Sequence, residues 1–394
     1  MIFISKEEQT QQQRRGKMEV IRPLTALGLM SGTSMDGVDA ALLVTDGVDV
    51  FEYGKALSRP YDMEMRAELR SVSGRVPAGD DQHVKDVERK MTLFHAEVVS
   101  ELLDAAGLRP ENVDVTGFYG HTIFHDPANR ISVQIGDGDL LAEQTRIPVV
   151  NRFRNADIAS GGQGGPLIAS YHAALARDME KPLAVLNIGG VSKLTWIGEN
   201  GELLAFDTGP GNALIDDWMM KKHGTNMDFD GNIAAGGTVN ERIVATMMKR
   251  PYFKKAPPKS LDRDEFAQRI MDNLEGESVA DGAATLTAFT AEAVAAAVRD
   301  FLPKPAKRFI VCGGGANNPT LMRMLRQKID APVDVAREAG WNGDFLEAQG
   351  FAFLAVRSLF GLPISFPTTT GVPHSMCGGM LHSVPSAPKE KKIR

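Results

Sequence analysis

Two α/β domains facing one another across a cleft are expected from three features of this chain. Its 394 residues exceed what one small core organises. Strand-like apolar runs alternate with helical patterns along its length. One order of elements, three strands with a Gly-rich hairpin followed by helices and further strands, occurs twice without a sequence repeat of fixed period.

The first series opens with strands at Leu24–Met30, Val38–Val44 and Val48–Leu57. Helical spacing follows at Tyr61–Ser71 and His83–Ala106. Val113–Tyr119 and Ile131–Ile135 read as strands, Leu140–Thr145 as a short helix with Asp139 as its N-cap, and Pro148–Val150 as a strand entering a loop. Gly165–Arg177 reads as a helix. The second series has strands at Leu183–Ile188, Lys193–Ile197 and Leu203–Phe206, then helices at Gly211–Lys222, Thr238–Met248 and Leu261–Asn273. The Ala-rich stretch Ser278–Leu302 is strongly helical. Arg308–Cys312 is a strand, Pro319–Lys328 a helix begun by Asn318 and Pro319, and Asp344–Phe360 a last helix.

Composition narrows the function classes. Hydrophobic residues at 43% and charged residues at 24% are those of a soluble globular protein. A net charge of −6 argues against a nucleic-acid surface. No apolar run is long enough to span a bilayer. The two cysteines, Cys312 and Cys377, form no disulfide framework and fit a reducing cytoplasm; Cys312 reads as a core residue. Residues 1–20 carry no apolar signal-like core and read as a disordered extension, and 383–394 read as a frayed tail. The long apolar-faced helices serve either core packing or a homodimer.

The chemistry gathers at Gly-rich turns. Gly32 to Asp39 reads Gly-Thr-Ser-Met-Asp-Gly-Val-Asp between two apolar strands. A hairpin tip of this kind offers backbone N–H groups, the hydroxyls of Thr33 and Ser34 and the carboxylate of Asp36. Such a tip can wrap a phosphate, with the acid holding a magnesium shell; an ordinary hairpin is the alternative. Asn187-Ile-Gly-Gly190 forms the second hairpin. Asp207-Thr-Gly209-Pro-Gly211-Asn212 and Cys312-Gly-Gly-Gly315 each lead from a strand into a helix, where anions are favoured. The three glycines 313–315 leave bare backbone against which an adenosine can lie. A Walker-type phosphate loop is absent, and neither glycine cluster completes a dinucleotide fingerprint. His121 and His125 are spaced i,i+4, but Asp126-Pro127 opposes a helix there, so a zinc site is not indicated. Asp157 follows Arg152 and Arg154 and precedes Gly161-Gly-Gln-Gly-Gly165. It can be either an ionised base or the partner of an arginine. The two arginines also suit a bound carboxylate or phosphate.

Gly32 to Asp39, Asn151 to Asp157 with Gly161 to Leu167, Asn187 to Gly190, Asp207 to Asn212 and Cys312 to Asn317 occur in this order. The ordered set resembles the anhydro-N-acetylmuramic acid kinase family over about 24–371. The resemblance implies two RNase H-like domains of the actin/hexokinase/Hsp70 superfold around a central nucleotide cleft. It implies ATP and Mg2+ as cofactors and a small anhydro-sugar as substrate. It also implies phosphorylation of O6 of 1,6-anhydro-N-acetylmuramic acid with hydrolytic opening of the anhydro ring, giving N-acetylmuramic acid 6-phosphate for cell-wall recycling. Asp157 matches the family's catalytic base. The nucleotide set is then Gly32, Thr33, Ser34, Met35, Asp36, Gly37, Val38, Asp39, Asn187, Gly189, Gly190, Asp207, Gly209, Gly211, Asn212, Gly313, Gly314 and Gly315. Sugar contacts fall to Tyr119, His121, Thr122, Arg152 and Arg154, and magnesium to Asp36 or Asp207. The expected division is 21–150 with about 345–382 against 151–344. Two departures stand out. Met30 and Asn187 occupy hairpin positions where much of the superfold carries aspartate, and Tyr119-Gly-His-Thr122 stands where the family usually shows His-Gly-Gln-Thr. A levoglucosan-type kinase and a conformational ATPase of the same superfold are the rival readings.

Overall fold

A computed structural model of the chain describes residues 22–32, 34–263 and 267–385. The extension expected at 1–20, most of the expected tail and Thr33 lie outside these residues. The described residues form two main sheets. The first contains β1 (Leu24–Met30), β2 (Gly37–Thr45), β3 (Val50–Pro60), β4 (Val115–Phe118) and β7 (Val149–Asn151), with β13 (Met380–His382) on its edge. The second contains β8 (Leu183–Ile188), β9 (Val191–Ile197), β10 (Leu203–Pro210), β11 (Arg308–Cys312) and β12 (Val333–Val335). Numbered within each series, both sheets run 3-2-1-4-5. Strands 1, 2 and 3 are antiparallel neighbours, and 4 and 5 are parallel to 1. The repeat in element order is therefore a repeat in topology, and this order is RNase H-like.

The interior strands explain their own sequences. β4 and β8 are buried along their whole length, as strands covered on both faces must be. The helix Val279–Phe301 buries a broad Ala-rich face in the second domain's core. The helix Leu346–Leu359 is apolar nearly all round because it is covered nearly all round. One apolar cluster runs from Ala26, Val115 and Val150 of the first sheet, through Phe353 and Tyr171, to Val185 and Ile310 of the second. It closes the floor beneath the cleft.

Several local expectations are corrected. His121–Asp126 is a strand, β5, paired with β6 (Ile131–Ile135) in a separate two-stranded sheet. The short helix begins at Gly138, and Asp137, not Asp139, caps it by accepting from the Leu140 N–H at 3.0 Å. Asp139 instead meets His382 Nδ1 at 2.8 Å, which fixes β13 at the sheet edge. The helix expected from Gly165 starts at Ala169, since Gly164 to Ile168 serve as cleft wall. Cys312 is buried, as its apolar run suggested.

Two glycines set the position of the helix Leu346–Leu359. Gly28 and Gly117 are register partners on β1 and β4. A Cβ on Gly28 would lie 1.8 Å from the Ala348 carbonyl oxygen, and one on Gly117 would lie 2.0 Å from that of Phe351. The helix backbone therefore rests directly on the sheet. Gly117→Ala is expected to lower stability by about 1–3 kcal/mol or more, the range for overpacking. Urea unfolding measures it, and an unchanged midpoint would contradict this seat.

Candidate functional site

The cleft between the domains is lined from both sides. Met30, Gly32, Ser34 and Met35 come from the first hairpin, and Gly189, Gly190 and Val191 from the second. Tyr119, which donates its N–H to the Leu29 carbonyl beside the first hairpin at 3.2 Å, also lines the cleft, with Thr122, His125, Arg154 and the wall Gly164–Ile168. Lys193, Asp207, Ser260–Arg263, Glu347 and Phe351 complete the lining.

The first hairpin is braced from behind. Ser31 is fully buried, accepts from Tyr61 Oη at 2.9 Å and lies 3.2 Å from His121 Nδ1. At the tip, Ser34 Oγ donates to Asp36 Oδ1 at 2.7 Å. Gly32 lines the cleft, and a Cβ added there would meet Ser34 Oγ at 3.3 Å and no other non-neighbouring atom among the described residues. Gly37, Val38 and Asp39 belong to β2 rather than to the cleft lining. Gly37 abuts the Arg59 carbonyl, Val38 is buried in the core, and burial raises the Asp39 carboxyl to about 6 against a hydrogen bond from Ser58.

The second hairpin is held by the two other Gly-rich turns. The Gly211 and Asn212 N–H groups donate to the Gly190 and Gly189 carbonyls at 2.9 and 2.8 Å. A Cβ on Gly211 would come within 2.2 Å of the Gly189 oxygen, and one on Gly315 within 2.4 Å of Ile188. Gly313 has φ +76°, a left-handed conformation that favours glycine, and packs against Asn187 Oδ1. Gly209, Gly211, Asn212 and Gly313 to Gly315 thus form the seat of the hairpin, with Gly314 exposed beside Asn212.

Asp207 is buried and lines the cleft. Its Oδ2 accepts from the Leu261 N–H at 2.9 Å, while Oδ1 has no partner among the described residues. Burial raises its pKa, and the Lys193 ammonium offsets part of that rise. Burial works against the charge of Lys193, but Glu347 and Asp207 outweigh it and hold the ammonium above its ordinary value. No three His, Cys, Asp or Glu side chains among the described residues converge as a metal site. Asp207 faces the cleft, whereas Asp36 is exposed at the hairpin tip outside the lining.

Arg154 also lines the cleft. It donates to Tyr119 Oη and, at 3.3 Å, to His125 Nδ1. Tyr119 Oη is 3.0 Å from Thr122 Oγ1. Burial, and then the Arg154 guanidinium, push His125 down to about 3, so its ring is neutral. Its Nε2 reaches Ser260 Oγ of the second domain at 3.3 Å. Two residues expected at the sugar lie elsewhere. His121 is wholly buried behind Ser31, where burial pushes it down to about 4. Arg152 is exposed and points to Met380 Sδ.

Asp157 sits on the short helix Asn155–Ala159, behind the wall residues Gly164 and Gly165. Oδ1 accepts from the Gly164 N–H at 2.6 Å. Gly162 presses so close that a Cβ there would lie 2.2 Å from the same oxygen. Oδ2 is buried without a hydrogen-bond partner among the described residues. Neither arginine pairs with Asp157, since Arg154 and Arg152 are engaged as described, so the ion-pair alternative is not realised.

Lys193, Glu347, Ser260 and Phe351 were not singled out in the sequence, and His125 was weighed only as a zinc ligand. Two of them carried a signal: Lys193 is a cation inside an apolar strand, and Glu347 an acid opening an apolar helix.

Comparison with known proteins supplies the family. The family model described as anhydro-N-acetylmuramic acid kinase matches residues 24–383. A protein of Paramagnetospirillum magneticum named anhydro-N-acetylmuramic acid kinase is 54% identical over 359 residues, covering 91% of this chain and 99% of its own. Proteins of the same name from Rhodospirillum rubrum and Acidiphilium cryptum are 51% and 49% identical, each over 90% of this chain and over 93% and 97% of their own length.

Gly32→Val adds a β-branched side chain at a position that lines the cleft. It is expected to keep the fold and weaken ATP binding by roughly 10–100-fold, the loss of a charge-assisted contact or more. Calorimetric titration with ATP measures this, and wild-type affinity would show that the hairpin does not grip phosphate.

Proposed function

The chain belongs to the anhydro-N-acetylmuramic acid kinase family, and on that premise we propose that it uses ATP to phosphorylate O6 of 1,6-anhydro-N-acetylmuramic acid while water opens the anhydro ring. The product is N-acetylmuramic acid 6-phosphate, a substance of cell-wall recycling. The enzyme is a phosphotransferase. Among the described residues no helix is long and apolar enough to cross a membrane.

The observation that carries the mechanism is the free carboxylate oxygen of Asp157. Its first oxygen is fixed by Gly164, and its second is held buried with no hydrogen-bond partner. A carboxylate in this state is oriented to accept a proton from a water molecule. The water oxygen bonds to C1 as the C1–O6 bond breaks. O6 bonds to the γ-phosphorus as the bond to the ADP oxygen breaks. Asp157 holds the water's proton and later releases it to solvent. Sugar, ATP and water thus give sugar phosphate, ADP and a proton. This need for a base sets the reading apart from a conformational ATPase.

The hairpins at Gly32 and Gly190 offer backbone N–H groups for the phosphates, and the exposed Gly314 beside Asn212 is the part of the Gly313–Gly315 turn left open to an adenosine. Asp207, with its unpartnered Oδ1, is the carboxylate suited to hold Mg2+, which when bound neutralises phosphate charge. The sugar falls to Tyr119, Thr122 and Arg154. Of these, the Arg154 guanidinium is the group matched to the lactyl carboxylate, a feature levoglucosan lacks.

Asp157→Asn is expected to cut turnover by roughly 10²–10⁴-fold, the range for removing a positioned general base. ATP affinity should stay within a few-fold of wild type. Steady-state kinetics and calorimetry together measure this, and equal loss of binding and turnover would make Asp157 structural.

A further inference from the structure

The strand register places a cation between two unpartnered oxygens. Lys193 on β9 is opposite Asn187 on β8 and opposite Asp207 on β10. Antiparallel partners project to the same face, so the three side chains form a row across the second sheet. Asn187 Oδ1 and Asp207 Oδ1 are both buried without a hydrogen-bond partner among the described residues. The bland account of Lys193 is that it neutralises Glu347. The distance opposes that account. Nζ stands 3.6 Å from Glu347 Oε1, beyond hydrogen-bond length, and both side chains keep about 30% exposure toward the cleft (29% and 30%). A lysine whose task was to hold Glu347 would close that gap.

Its place along the cleft is more informative. Lys193 follows the second hairpin tip by three residues, so it begins where the phosphate-gripping turns end. It also shares the lining with Tyr119 and Arg154. The other lining cations are engaged: Arg154 with Tyr119 and His125, Arg263 with Asp217 at 2.7 Å. Lys193 thus lines one cleft with the second hairpin, Tyr119 and Arg154, within which a phosphoryl group passing from nucleotide to sugar would have to move. An ammonium is a mobile point charge with rotatable donors, suited to a group that moves.

We propose that Lys193 is the cation that binds the terminal phosphoryl group of the bound nucleoside triphosphate, leaving Glu347 to do so. This rests on the kinase reading above, and the experiment separates the two. Wild type, Lys193→Met and Lys193→Arg are titrated calorimetrically with ADP and with a non-hydrolysable β,γ-imido triphosphate, and their thermal unfolding is recorded.

Lys193→Met is expected to bind the imido triphosphate roughly 10–100-fold more weakly, the loss of one charge-assisted hydrogen bond. ADP affinity and the unfolding midpoint should stay at wild-type values, and Lys193→Arg should recover part of the triphosphate affinity. Equal weakening of both nucleotides would overturn the proposal and make Lys193 structural. Unchanged triphosphate affinity would overturn it too; if sugar affinity then fell, the ammonium would belong to the acceptor's anionic group. A wild-type protein that bound neither nucleotide would overturn the kinase reading itself.

Discussion

The contact on which this structure depends is the seat of the helix Leu346–Leu359 on Gly28 and Gly117. A helix packed through side chains stands 8–10 Å from its neighbour. Here carbonyl oxygens of the helix lie where two β-carbons would be. Every other placement follows from that depth. Phe351 reaches the rings of Tyr119 and Phe153 at 4.5 and 5.5 Å between centroids, which fixes the Tyr119 side of the cleft. Glu347 comes up beneath Lys193. On its other side the same helix is thin at Gly350, where Ile168 and Tyr171 pack, and Gln349 accepts from Tyr171 Oη at 2.8 Å. The two halves thus share one element, and the cleft is the space it leaves above itself.

The cleft then separates its charges by task. Two acids in or just behind its lining have one oxygen fixed and one left over. Asp157 spends Oδ1 on Gly164, and Asp207 spends Oδ2 on Leu261. A buried polar atom without a partner costs free energy. Asp207 keeps its free oxygen in the cleft lining and Asp157 keeps its own behind the wall at Gly164 and Gly165, and these are the two acceptors on which the proposed mechanism draws. The histidines are built differently. His125 and His121 are held neutral by burial and act as hydrogen-bonding struts, one spanning the domains to Ser260 and one behind the first hairpin.

The Gly-rich turns were legible in the sequence because the backbone demands glycine there, as the contacts of Gly211 and Gly315 show. The duplicated element order was legible because two RNase H-like sheets need the same succession of strands. Strand β5 was missed because His121–Asp126 mixes polar and apolar residues ahead of a proline, and its pairing with β6 comes from tertiary placement. Spacing gave Arg152 and Arg154 equal standing, whereas Arg152 adopts φ 52° and turns outward. Asp139 was read as the cap from its place beside Leu140, whereas Asp137 caps the helix and Asp139 meets His382, far away in sequence. Lys193 and Glu347 were invisible as a pair because their strand and helix meet only in the folded chain.

The central claim is that one active site couples ring opening by water to phosphoryl transfer onto the oxygen thereby released. Mass spectrometry of the product formed from anhydro-sugar and ATP in water enriched in heavy oxygen tests it most directly. The account predicts one heavy oxygen at C1 of the sugar, none in the transferred phosphate, and ADP formed in equal amount to sugar phosphate. Label in the phosphate, or a phosphorylated sugar with its anhydro ring intact, would contradict it.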